Sequence, residues 1–215
     1  MFLGLLKLWE MIRSKQCEEE RSMYTPKYFE VTDEKEIFSF IEANGFGQII
    51  SNSDGRLFST HIPFLLSADK TKLLGHFAKK NPQLKDIENQ EVMVSLQGSH
   101  DYISPSWYIS PGVPTWNYQA AHIYGKCHLI REPTELKNIV NALTSEYESQ
   151  FPTPWVPDYN PSLLGAIVGI EITINEIQCK YKLSQNRSKQ DQLQVVKRLK
   201  ANGSNRLAQE MLIKT

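Results

Sequence analysis

The sequence predicts an α+β domain in which antiparallel strands dominate and helices flank them. Three observations indicate this class: segments in which apolar and polar residues alternate, short turn signals between the early strands, and a few stretches with apolar residues at helical spacing. The chain has 215 residues and a formal net charge of zero. That length allows a full core without disulfides, and that charge provides no overall field to attract nucleic acid or a membrane.

The first part of the chain predicts one helix and then three short strands. Thr32 or Asp33 can cap a helix that runs to Asn44 and stops at Gly45. A hairpin signal at 52–55, Asn-Ser-Asp-Gly, separates the first two strands. We expect these three strands at 46–51, 56–66 and 72–77.

The second part predicts longer strands around a central helix. Alternation predicts strands over 91–97 and 118–131, and Pro133 begins a helix to about Glu148. A further strand from Val168 shows the clearest alternation, but its apolar series changes phase near Asn175-Glu176. Because side chains alternate with a period of two, this change of phase predicts a bulge or bend.

The end of the chain predicts two helices separated by Asn202-Gly203, the first from Lys189 to about Ala201. Their modest excess of basic residues leaves two interpretations, a DNA-binding helix-turn-helix or a hairpin packed on the strands. We favour the packed hairpin, whose apolar residues would be Leu193, Val196, Leu199, Leu207 and Met211.

The chain is divided into an extension at 1–22, a domain at 23–187 and helices at 188–215. The extension is either an amphipathic helix or an upstream read-through before a natural start at Met23, and we favour the second as a hypothesis. The three cysteines, Cys17, Cys127 and Cys179, are odd in number and widely spaced, which favours reduced thiols in the cytoplasm. An uninterrupted apolar run long enough for a membrane span is absent from the sequence.

The stretch from His100 to Gly125 is unusually rich in aromatic residues and prolines. It contains two of the four tryptophans, four tyrosines and three prolines. Large rings with polar tips, held in a rigid loop with hydroxyl and amide groups at its edge, suit a flat and partly polar cofactor such as a flavin. The alternative is that these rings only fill the mouth of a β structure.

A second candidate site follows the third strand. Asn81 can cap a helix that starts at Pro82 and runs to about Glu88. Its free amides, together with Lys79 and Lys80, would form a cradle for a phosphate. The alternative is an ordinary surface helix with nearby lysines.

Common catalytic motifs are absent from the sequence. It contains no G-x-G-x-x-G after a strand, no P-loop, no G-x-S-x-G and no H-E-x-x-H. The five histidines lack the paired spacing of a zinc site, so we predict no metal site.

Six segments of the chain, in order, resemble the PaiB family of FMN-binding, split-barrel transcriptional regulators. The pair V-P-T-W-N-Y and K-L-S-Q-N-R is the most specific part of the resemblance, which extends from Tyr24 to the end of the chain. The matching segments are Tyr24–Phe29, Thr60–Phe64, Gly75–Pro82, Tyr102–Tyr108, Val113–Tyr118 and Lys182–Arg187.

The resemblance implies a six-stranded antiparallel split barrel of the pyridoxamine-phosphate-oxidase type, with FMN held at the interface of a homodimer. Thr60 and His61 would lie beside the ring system, and His76 and Ala78 along the ribityl chain. The phosphate would be bound by Lys79, Lys80 and Asn81. Residues that would cover the flavin are Ser106, Trp107, Thr115, Trp116 and Asn117, and residues reaching it from the other subunit are Lys182 and Gln185.

The resemblance leaves two functions open. One is a negative regulator of sporulation and degradative-enzyme genes, with promoter DNA as a partner. The other is an FMN-dependent oxidoreductase or haem-handling enzyme, because fold does not fix function. The neutral net charge and the single modest basic tail predict few phosphate contacts, so any DNA binding is expected to be weak and sensitive to salt.

Overall fold

The computed structural model describes residues 22–158 and 160–214. The two hypotheses for the amino-terminal extension therefore concern residues outside the described part, apart from Ser22. The described chain forms one antiparallel sheet of seven strands, and four α-helices pack around it. The strands are β1 (Phe46–Ser53), β2 (Arg56–Pro63), β3 (Leu65–Leu66), β4 (Lys72–Ala78), β5 (Glu91–Ile103), β6 (Thr115–Ile130) and β7 (Ile167–Lys182).

The sheet closes on itself because one run of chain supplies both of its outer strands. Its order is β2-β1-β5-β6-β7-β4-β3. β2 and β3 are separated only by Phe64, yet β2 pairs with β1 and β3 pairs with β4. The predicted count of six strands is therefore wrong by one. The run expected as a single strand over 56–66 is divided, because its two parts pair with different neighbours.

The predicted turns and irregularities lie where the alternation pattern indicated. Asp54 and Gly55 connect β1 to β2 with φ of 51° and 79°, the left-handed backbone of a tight hairpin turn. Pairing between β6 and β7 passes from Tyr124–Glu176 to Gly125–Ile174, so Asn175 is an extra residue. The bulge predicted from the change of phase is thus confirmed.

The helices are α1 (Glu34–Ala43), α2 (Pro133–Glu148), α3 (Lys189–Ala201) and α4 (Asn205–Ile213). Asp33 caps α1, since its carboxylate accepts from the Glu36 amide at 2.9 Å. The α2 helix packs on the outer face of β7, where the position of a Cβ added to Gly169 lies 3.2 Å from Leu136. A side chain at this position would therefore require its neighbours Ile130 and Leu136 to shift by a few tenths of an ångström.

One continuous apolar core fills the barrel and extends beneath α3 and α4. Ile49, Phe77 and Ile123 are fully buried from three different strands. Leu199 and Met211 join the same cluster from the two carboxy-terminal helices. These helices therefore pack on the strands through Val196, Leu199, Leu207 and Met211 as expected, whereas Leu193 is 45% exposed and was wrongly expected to pack. None of the helices that the structure describes is long and apolar enough to span a membrane.

Candidate functional site

A partly buried polar network joins β1 and β2 to the turn that follows β4. The Asn81 amide nitrogen donates to Thr60 Oγ1 at 3.0 Å, and the Thr60 hydroxyl donates to Gln83 Oε1. Gln83 Nε2 donates in turn to Ser51 Oγ at 2.8 Å. Gln83 and Ser51 are only 2% and 4% exposed. Because buried polar groups need partners, this network fixes Thr60 and Asn81 relative to each other.

The prediction of a helix from Pro82 to about Glu88 is wrong. The structure contains only a four-residue 3-10 turn, Pro82–Lys85, and Asn81 Oδ1 accepts from the Gln83 amide at its start. The amides of Lys79 and Leu84 also donate to backbone oxygens. Protein groups therefore engage the amides that were expected to hold a phosphate. The exposed side chains of Lys79 and Lys80 remain the candidate anion ligands at this end.

Three predicted site residues, His61, His76 and Ala78, belong to β2 and β4 beside this turn. His61 is exposed, and its ring lies 6.2 Å from that of Phe46 in a stacked arrangement. His76 is half-buried, and burial lowers its pKa. His76 Nδ1 is buried without a hydrogen-bond partner among the described residues. A buried nitrogen without a partner is costly, so this atom is a candidate contact for a bound group.

The predicted covering residues Thr115 and Trp116 meet Lys182 at the far end of β6 and β7. Lys182 Nζ donates to Thr115 Oγ1 and, at 2.8 Å, to the carbonyl of Trp116. Burial, followed by the charge of Lys180, lowers the pKa of Lys182. Trp116 is 53% exposed, and its ring packs edge-on against Tyr102 at 6.1 Å. The pair offers an aromatic surface beside a cation.

The other predicted covering residues on this side are Ser106 and Trp107, in the turn that follows β5. The exposed Ser106 hydroxyl lies 2.8 Å from that of Ser104, and Trp107 packs partly against the core. The turn Pro105–Trp107 thus presents a hydroxyl outward while its indole is anchored inward.

Asn117 and Gln185 point elsewhere than the exposed residues around Trp116. Asn117 is 1% exposed, and its amide nitrogen donates to Ser184 Oγ at 2.9 Å and to Met211 Sδ at 3.4 Å. The side-chain amide of Gln185 is bonded within its own turn. Its Oε1 accepts from the backbone amide of Leu183, and its Nε2 donates to the carbonyl of Tyr181. The structure therefore does not bring these two side chains together with the others, because the amide of each already has hydrogen-bond partners within the protein.

A buried carboxylate anchors the aromatic loop to α3. Asp191 is 1% exposed, and it accepts from the amides of Ile109 and Ser110 at 2.7 and 3.2 Å and from the Ser110 hydroxyl. These hydrogen bonds, chiefly that from Ser110, lower the pKa of Asp191 to about 2. The guanidinium of Arg187 lies 4.5 Å from the centre of the Tyr108 ring. The loop and the helix are therefore one structural unit.

The predicted site residues form two clusters, a phosphate cluster (Lys79 and Lys80) after β4 and a covering cluster (Trp116 and Lys182) at the end of β7. His76 pairs with Gly169 near the start of β7, whereas Lys182 is the last residue of that strand. Lys182 lies thirteen positions after Gly169, which corresponds to a contour length of about 40 Å along an extended strand. The two clusters therefore lie toward opposite ends of β7.

Two features of the site region bear on its chemistry. Over residues 22–158 and 160–214, the structure contains no group of three His, Cys, Asp or Glu side chains able to hold a metal ion. Cys127 and Cys179 are buried free thiols, and burial raises the pKa of each to about 12. Thiols with such a high pKa are poor nucleophiles, so both cysteines belong to the core.

Gln83 and Asp191 are two residues of the site region that were not predicted from the sequence. Gln83 follows the motif Lys-Lys-Asn-Pro directly, but its partner Ser51 is more than thirty residues away. Asp191 lies in the first turn of α3, where an acidic residue is ordinary. Neither partner can be found from local sequence, because both contacts depend on how the barrel closes.

Comparison with known proteins agrees with this architecture. A family model described as "Putative FMN-binding domain" matches residues 23–176. "Protease synthase and sporulation protein PAI 2" of Bacillus subtilis (strain 168) is 41% identical over 197 residues, which cover 88% of this chain and 94% of that protein.

Two solved structures are similar in fold. The FAD and heme binding protein from Mycobacterium smegmatis has a TM-score of 0.60 at 14% identity, with 76% of this chain and 78% of that chain covered. The flavocytochrome Anf3 from Azotobacter vinelandii has a TM-score of 0.58 at 15% identity, with 78% and 77% covered. At these identities the likeness concerns the fold alone, and it supports the predicted split-barrel class.

The family model covers most of the chain, and the Bacillus relative is similar over nearly its whole length. The resemblance stated from the six sequence segments is thereby confirmed. This chain belongs to the PaiB family of FMN-binding split-barrel proteins.

Proposed function

We propose that the protein is an FMN-binding transcriptional regulator of the PaiB type, in which each flavin lies between two copies of the chain. The name of the Bacillus relative refers to protease synthesis and sporulation, which supports control of degradative-enzyme and sporulation genes. The observation that supports the shared site most directly is the division of the predicted ligands into two clusters toward opposite ends of β7. The two buried thiols, Cys127 and Cys179, are compatible with a cytoplasmic location.

In this proposal one copy binds the phosphate end of FMN. Lys79 and Lys80 would neutralise the phosphate, and Asn81 and Thr60 would stay in register through their 3.0 Å hydrogen bond. His76 Nδ1, which has no partner among the described residues, would gain one from the ribityl hydroxyls. FMN, when bound, supplies a ring system that accepts and returns electrons.

The second copy would cover the ring system with the Trp116 surface and Lys182. Both belong to the outer face of the sheet, which also carries Phe46 at 63% exposure and Tyr102 at 41%. Exposed aromatic residues on one face of a sheet are typical of an interaction surface. A symmetric dimer would bury this face twice and complete two sites at once.

Mixing two defective variants tests the shared site. Lys79→Ala/Lys80→Ala removes the phosphate cluster, and Trp116→Ala/Lys182→Ala removes the covering cluster, so neither homodimer should retain FMN. After unfolding and refolding together, random pairing should restore about a quarter of the sites, because half the dimers are mixed and each has one intact site. The restored fraction is measured by flavin absorbance after gel filtration.

Wild-type protein taken through the same refolding serves as the control for recovery. A mixture that binds no more FMN than the separate variants would contradict a site shared between two chains. Binding by either variant alone would show that its cluster is not needed. Sedimentation of each sample reports whether the dimer itself has formed.

The regulatory part of the proposal rests on the surface of α3. Lys189, Lys197, Arg198 and Lys200 are exposed on this helix, and its single acidic residue, Asp191, is buried. Such a surface can contact nucleic-acid phosphates, and a dimer would present it twice. The expected binding to promoter fragments weakens steeply with salt and is lost in Lys197→Glu/Lys200→Glu. Gel-shift titration over a salt series checks this, and equal binding by the variant would remove α3 from the interface.

A further inference from the structure

A cavity of about 580 Å³ lies beside the phosphate cluster, and Lys79 belongs to its lining. It is enclosed by the end of β4, the start of β7, the first turns of α2 and the turn Pro161–Ala166. Its size is within the range of small-molecule sites. Of the residues around it, only Lys79 is among the predicted site residues.

Positive charge surrounds this cavity. Lys79, Arg131 and Lys137 line it, and no acidic residue belongs to the described lining. All three side chains are exposed, and none of them forms an ion pair with another described residue. Three unpaired cations around one concave site attract an anion and repel a cation.

The wall between these cations is apolar. Leu136, Leu164, Ile167 and Val168 line the cavity together with Pro133. The first turn of α2 is already capped by a side chain, because the Glu132 carboxylate accepts from the Glu135 backbone amide at 2.7 Å. The cavity therefore offers charge through its side chains and contact through apolar surface. A hydroxylated ribityl chain matches this wall poorly, whereas an aromatic or branched aliphatic group matches it well.

We propose that this cavity binds a small amphipathic anion, with an apolar body against Leu164 and Val168 and a carboxylate, sulfonate or phosphate between Arg131 and Lys137. This ligand is distinct from FMN. Lys79 belongs both to the cavity and to the proposed phosphate cluster, so the two ligands are neighbours. The occupancy of one site is thereby linked to that of the other through a shared cation.

Calorimetric titration of the purified protein, with its flavin content measured separately by absorbance, with anilinonaphthalenesulfonate, an aromatic anion, tests this proposal. The uncharged phenylnaphthylamine, which has the same rings without the sulfonate, is the matched probe. We expect one sulfonate probe per chain, and about tenfold weaker binding in Arg131→Gln and in Lys137→Gln, because each loses a charge-assisted contact. Binding of the uncharged probe should not change in these variants. Lys35→Gln, an exposed change outside the cavity, should leave both probes unaffected.

Blocking the cavity provides a second measurement. A Cβ added at Gly165 meets no atom within 4 Å, so Gly165→Phe can fold and fill the space. We expect this variant to lose both probes while it retains its melting temperature and flavin absorbance. Sulfonate binding that survives Gly165→Phe, or that is unchanged in Arg131→Gln and Lys137→Gln, would overturn the proposal.

The cofactor proposal and this one fail in different ways. Loss of FMN from Arg131→Gln and Lys137→Gln would show that the cavity is the phosphate site, and the separate ligand would be ruled out. A wild-type protein without flavin would contradict the cofactor proposal alone, because probe binding to the cavity is measured independently of flavin absorbance.

Discussion

The buried amide of Gln83 provides the sharpest test of how the phosphate side of the site is held. Gln83→Ala removes the hydrogen bonds to Ser51 and Thr60, each worth about 1 kcal/mol, and leaves the buried Ser51 hydroxyl without that partner at a further cost of about 1 kcal/mol. The expected loss of about 3 kcal/mol corresponds to a melting temperature about 6–12 °C lower in a domain of this size. Thermal unfolding followed by circular dichroism measures it.

Flavin should be removed first, since a bound ligand raises the apparent stability. Gln83→Met preserves most of the side-chain volume but loses the same hydrogen bonds. Its melting temperature should therefore fall by most of the amount expected for Gln83→Ala. Gln97→Ala, an exposed change on β5, should stay within about 0.5 kcal/mol of wild type. If Gln83→Ala melts within about 2 °C of wild type, the network does not support the site and the reasoning from burial is refuted.

Two further predictions concern pH and the aromatic loop. Burial lowers the pKa of His76 and of His122 below the usual value of 6.5, so the unfolded chain binds more protons as the pH falls through that value. Stability should therefore decline below about pH 6.5, and the double change to Gln should flatten the decline; an equally steep curve in the variant would contradict this. Asp191→Ala should accelerate hydrogen exchange at the amides of Ile109 and Ser110, and unchanged exchange would mean that the carboxylate does not hold the loop.

The parts of the fold that follow from local pattern could be predicted from the sequence. The Asp54-Gly55 turn, the bulge at Asn175 and the helix from Pro133 to Glu148 depend on residues close together in the chain. The four-residue turn after Asn81 was predicted as a longer helix. The capping signal at Asn81 was correct, but the chain must turn back at once so that Gln83 can reach Ser51 on β1.

The candidate site was predictable only in part, for a related reason. Alternation identified which side chains share one face of a strand. Whether the face that carries Asn117 points inward depends on which face of β6 the core covers. The cavity beside Lys79 likewise depends on the position of α2 over the end of β7. Such contacts arise from pairings between distant segments, which carry no signal in a local window of sequence.

The junction between β2 and β3 also determines where the barrel begins to unfold. Only two residue pairs, Leu65–Leu74 and Leu66–Leu73, join β3 to β4 at this seam, whereas β6 and β7 are zipped along almost their entire length. The β3–β4 pairing is therefore the weakest strand pairing around the barrel, and we expect the barrel to open there first under heat or denaturant. The side-chain hydrogen bonds of Thr60 with Asn81 and Gln83 connect β2 to the turn after β4 and so strengthen this junction. A ligand bound at these residues would therefore delay local unfolding there.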